Sequence, residues 1–93
     1  MKVERFLIQA CCNKTQIVFK LDRPVDQALL DILKSNGYTE APHFTKAGMV
    51  YADNPDLIVT GPFGGDKLNA KCKKQDCNQS LNDLEALLVR MGW

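Results

Sequence analysis

Side-chain periodicity in this chain switches between two residues and 3.6 residues in one order, and that order limits the folds open to it. Phe6, Ile8, Ala10 and Cys12 share one parity, while Arg5, Leu7, Gln9 and Cys11 share the other. A first strand is predicted, with the Phe6 set toward the core and a mixed face outward. Ile17, Phe19 and Leu21 alternate with Val18 and Lys20 in a second strand, and Asn13-Lys14 offers the turn of an antiparallel hairpin. Val25, Leu29, Ile32 and Leu33 then recur at i, i+4, i+7 and i+8, one apolar stripe. The spacing predicts a helix over about 24–36, begun by Asp22-Arg23-Pro24 and stopped by Gly37.

Tyr38 to Ala47, with Pro42 and His43, reads as irregular. Met49-Val50-Tyr51 is a third strand, and Asp53-Asn54-Pro55-Asp56 is turn chemistry. Leu57 to Thr60 is apolar enough for a central strand. After the turn Gly61 to Asp66, a fifth strand points Leu68, Ala70 and Cys72 inward and Asn69, Lys71 and Lys73 outward. Ser80-Leu81-Asn82-Asp83 has the form of a capping box, followed by Leu81, Leu84, Leu87, Leu88 and Met91 at helical spacing. Two amphipathic helices and one-sided strands are satisfied by two layers. The expectation is a single α+β domain over residues 1–93: a mainly antiparallel sheet of about five strands, two helices on one face, order ββαβββα.

Composition narrows the function classes. At 45% hydrophobic and 25% charged residues, disorder and collagen are excluded. Twelve basic against eleven acidic residues give +1, so no overall field favours nucleic acid or membrane. The apolar run near the amino terminus is interrupted by Glu4, Arg5 and Gln9, short of the roughly 7–15 residues of a signal core. No stretch approaches the ~18 apolar residues of a span. A cytoplasmic protein without a membrane partner is expected, with its four cysteines as thiols or metal ligands rather than a disulfide framework.

Cys72 and Cys77 form C-x4-C, and Cys11 and Cys12 supply a second pair if the first strand ends beside the fifth, with His43 in reserve. Adjacent strand residues point to opposite faces, so Cys11 and Cys12 reach one ion only if the strand has already broken. The plainer expectation makes Cys12 and Cys72 small core residues, and Cys11 and Cys77 ordinary exposed thiols. Lys67, Lys71, Lys73 and Lys74 fall in a segment without an acid, whereas residues 22–66 hold seven acids against three bases. Such a stripe can follow a phosphate backbone, with Phe63 as a stacking face. On an edge strand it serves equally to prevent edge pairing. Gly61 to Lys67 is no phosphate loop: Asp66 stands where the second glycine belongs, and a strand follows instead of a helix. Gly64 and Gly65 are explained by a turn needing positive φ.

No nucleophile, base and orienting group stand at a recognisable spacing around His43, though a distant pairing with Cys11 or Cys77 is compatible with the sequence. The chain therefore reads as a small soluble non-catalytic binding module, with a protein partner or self-association through an exposed strand. Leu7 and Val18 on the outward parity, with Tyr51, Phe63 and Trp93, are the apolar groups expected at the surface. Trp93 is either a plug on the core or an interface anchor. The alternatives are a zinc module on Cys11, Cys12, Cys72 and Cys77, zinc being the one cofactor considered, and a nucleic-acid binder through Lys67 to Lys74.

Overall fold

The computed structural model describes residues 2–9, 15–73 and 77–90. In these, the elements follow as β1 (Val3–Gln9), β2 (Thr15–Leu21), α1 (Gln27–Ser35), β3 (Thr39–Glu40), α2 (Pro42–Lys46), β4 (Met49–Asp53), β5 (Leu57–Pro62), β6 (Lys67–Cys72) and α3 (Asn78–Arg90). The strands form one antiparallel sheet in the order β1-β2-β6-β5-β4-β3. After the β1–β2 hairpin, α1 carries the chain to the far edge, and β4, β5 and β6 meander back until β6 pairs with β2.

One face of this sheet is buried. Ile17, Phe19 and Leu21 from β2 join Leu68, Ala70 and Cys72 from β6, Leu57 and Val59 from β5, and Val50 and Ala52 from β4. Leu29, Leu30 and Leu33 of α1 and Leu81, Leu84 and Leu88 of α3 close over them in the same cluster. Large and small side chains alternate along a register row, Ile17–Ala70–Val59–Ala52, leaving room for the helices above the alanines. The α+β sandwich expected from periodicity is the fold, with a sixth strand and a third helix. Both extra elements come from the segment read as irregular. Thr39 and Glu40 pair with β4, and Pro42 occupies the first turn of α2, where its missing N–H costs no intrahelical bond.

Both long helices begin elsewhere than the sequence signals suggest. Asp26, not Asp22, caps α1: its Oδ1 accepts from the Leu29 N–H at 3.1 Å. Val25 is held out of the helix because its N–H donates to the Gly65 carbonyl and its carbonyl accepts from Gly64. Asp26→Ala is therefore expected to cost about 1 kcal/mol, read as a lower urea midpoint at unchanged m-value. Asp22→Ala, which removes only an exposed bond from the Lys2 N–H, should leave the midpoint almost unmoved. In α3 the box residues are already helical. Ser80 Oγ donates to Asp56 Oδ2 at 2.8 Å, Asp83 accepts from Gln79 Nε2, and the Cys77 carbonyl takes the Leu81 N–H. In the β5–β6 turn Gly64 has φ +83°, whereas Gly65 lies beside Pro62, whose Cγ a methyl group there would meet at 2.9 Å.

The faces of β1 are reversed relative to the expectation. Val3, Arg5 and Leu7 lie opposite Leu21, Phe19 and Ile17, so they share the helix side, and Phe6 belongs to the other face with Val18. Both parities of β1 hold apolar residues, so pattern alone does not choose between them. Arg5 suits the helix side because β1 is at the sheet margin. Its Nη1 donates to Asn82 Oδ1 at 2.9 Å, lies 3.9 Å from Glu85 Oε1, and its guanidinium stands 5.9 Å from the Phe19 ring centroid.

Candidate binding face of the sheet

The face away from α1 and α3 carries a row that register places across five strands: Phe6, Val18, Asn69, Thr60 and Tyr51. At roughly 4.8 Å between neighbouring strands, the row runs about 19 Å. Phe6 is 49% exposed at one end, and the middle of the row is partly exposed. At the other end Phe44 of α2 stacks on Tyr51, centroids 4.5 Å apart and planes at 16°. Two further rows flank this one: Glu4, Lys20 and Lys67 on one side, Gln16, Lys71, Ile58 and Asp53 on the other. Apolar groups and aromatic ends with a charged border make up this surface.

Tyr51 and Val18 lie on this face as expected, while Leu7 lies on the helix side of β1. Phe63 is half-buried and packs on the core, so it does not join them. Lys67 and Lys71 project from the open face, but β6 is central rather than an edge, so they do not guard an edge. Lys73 is paired with Asp53. Lys74, Trp93, Cys11 and Cys12 fall outside the described residues.

Cys77 is not an exposed thiol. It is 5% exposed and forms a disulfide with Cys72, itself buried on the inner face of β6. Bonded to each other, the two sulfurs are not thiolates, the form in which cysteine holds zinc. His43 is exposed on α2, which packs on β4, two strands from the β6 position of Cys72. Among the described residues no three His, Cys, Asp or Glu side chains gather as metal ligands.

Sequence reasoning passed over one concavity. A cleft of about 480 Å³ between the helices and the β4–β5 turn is lined by Asn36, Tyr38, Asn54, Ser80, Asp83 and Arg90, among others. Burial, with the Asp83 and Asp56 carboxylates nearby, pushes the Tyr38 hydroxyl up to about 12, so it keeps its proton at neutral pH and makes a poor general base. Phe6 and Phe44 were also missed as surface groups. For Phe6 the signal was the hairpin register. Phe44 offers no signal short of the helix that turns it onto Tyr51.

No helix of the described residues is long and apolar enough to cross a membrane. Compared with protein-family models, curated proteins and solved structures, the chain gives no match in any of the three.

Proposed function

We propose that this protein is a small non-catalytic module that binds a protein partner on the uncovered face of its sheet. The observation that supports this most is the row Phe6–Val18–Asn69–Thr60–Tyr51, apolar and aromatic at its ends, hydrogen-bonding at its centre, and outside the cover of α1 and α3. A flat face of this kind offers area and a few orienting amide and hydroxyl groups, the ingredients of a protein–protein contact. The compartment we propose is the cytoplasm, where exposed disulfides are usually reduced but the Cys72–Cys77 bond, at residues 1% and 5% exposed, is shielded from attacking thiolates. Both lie on or near the buried side, so the binding face does not depend on their state.

The test is site-specific photo-crosslinking in cells that naturally make the protein. A photoreactive residue at Val18 or Ile58 should give one shared adduct, absent when the same residue replaces exposed Ala28 on α1. Equal adducts from all three sites, or none from the sheet, removes the assignment.

Single-stranded nucleic acid is the alternative ligand for this face, and one observation favours it. Lys20 lies directly opposite Lys67, a like-charge pair that costs stability and that an anion relieves. If nucleic acid is the ligand, anisotropy with a fluorescent oligonucleotide should show binding that weakens steeply with salt. Lys67→Glu with Lys71→Glu should then lower affinity at least tenfold. Binding indifferent to that double change excludes this face as the nucleic-acid site.

A further inference from the structure

The two margins of the sheet are unlike. The β3 margin is two residues long and closely tied down: Glu40 accepts from Thr45 Oγ1 at 2.6 Å and pairs with Lys34 Nζ at 3.1 Å, binding β3 to α2 and α1. Those two partners hold its carboxyl below the ordinary carboxylate range. The β1 margin is seven residues long, and no strand among the described residues pairs with its outer side. Long bare margins are ordinarily guarded by charge, proline or a bulge. Arg5, the cation in the middle of β1, is instead drawn back onto Asn82 and Glu85 and over Phe19.

Phe6 and Leu7, consecutive on β1, are 49% and 71% exposed, and they stand on opposite faces of the sheet. A partner resting on either face covers only one of them. A strand laid along the margin covers both, because each of its residues sits beside one of theirs on the same side.

We infer that the outer edge of β1 pairs antiparallel with β1 of a second copy, about a two-fold axis normal to the sheet and centred on Phe6. Length and charge together select the occupant and the register: β1 of a second copy matches this edge over all seven residues, Val3–Gln9, only when centred on Phe6, whereas centring on Leu7 leaves Val3 and Glu4 unpaired. Centring on Glu4 or on Arg5 would set like charges opposite each other. Centring on Phe6 sets Phe6 against Phe6 of the partner copy and Leu7 against the partner copy's Arg5, with no like charges facing. The axis keeps both uncovered faces on one side, so the dimer presents one continuous binding surface. This inference does not rest on the proposed function. The apolar area at the junction is small beside the roughly 800 Å² per partner of a standard interface, so association is weak and depends on concentration.

Sedimentation velocity from about 5 to 500 μM, a range that brackets a weak interface, reads it directly. The wild-type chain should shift from monomer to dimer across the series. Leu7→Lys, which sets a lysine against the partner copy's Arg5, should weaken association at least tenfold. Leu7→Glu, which sets a carboxylate there, should retain or tighten it. Leu7 is exposed, so both variants should melt like the wild type, and circular dichroism confirms that they are folded. A monomer at every concentration, two variants with the same effect, or an interface indifferent to both overturns the inference.

Discussion

Val59→Asp is expected to leave the chain unfolded at neutral pH, while Ile58→Asp, one residue earlier, leaves it folded and about 1–2 kcal/mol less stable. Val59 is fully buried on the inner face of β5 between Ala70 and Ala52, whereas Ile58 is partly exposed on the other face between Lys71 and Asp53. Removing the valine forfeits about 1.5–3 kcal/mol of burial. The carboxylate adds several kcal/mol more, since no cation reaches it among the surrounding aliphatic groups. Together these approach the roughly 5–14 kcal/mol that a domain of this length holds. The pH dependence has a definite sign. A carboxyl at position 59 has its folded pKa raised above the unfolded value near 3.9, so its ionisation cost vanishes below that value and grows as pH rises above it. Circular dichroism of Val59→Asp should therefore recover folded signal on acidification toward pH 4. Equal loss of structure in both variants would mean that both faces of β5 are buried, and the binding face would go with it.

Opening the Cys72–Cys77 bond is expected to remove about 2 kcal/mol, the chain-entropy value for a six-residue closed loop. For a domain of this size that corresponds to a fall in Tm of roughly 10 °C. The bond joins the end of β6 to the residue before α3, so it anchors the helix that covers the β1 side of the core. Chain unfolded without reductant should show two fewer titratable thiols than the same chain after reduction. The double variant Cys72→Ala/Cys77→Ala should melt near the reduced wild type and be indifferent to reductant. Four thiols before reduction, with one zinc bound and lost together with the fold on chelation, would instead establish the zinc module.

Five of the six strands and both long helices were legible in the sequence because each buries one stripe or one parity. β2 and β6 show this most clearly: Ile17, Phe19 and Leu21, like Leu68, Ala70 and Cys72, are buried as alternation predicts. β1 was misread because Phe6 and Leu7 are both apolar, and only pairing decides which faces inward. Its partners obey i + j = 24 with β2, so Phe19 in the core fixes Arg5 and Leu7 on the same side. Pro42 stood in the first turn of a helix, yet a five-residue helix has too little periodicity to announce itself. Asp22, the helix start read from the sequence, and Asp26, the cap in the structure, are the same residue type. The backbone bonds of Val25 to the Gly64-Gly65 turn, some forty residues away, select the second.

Local pattern by itself determined the layers of this protein: five of its strands, its two long helices, and that those two helices lie on one face. Burial of apolar area acts residue by residue, so a single chain records it. Strand order, the faces of β1, the Cys72–Cys77 bond and the composition of the uncovered face were decided only in three dimensions. Each depends on which distant backbone groups pair, and a hydrogen bond between strands leaves no trace in the spacing of either one.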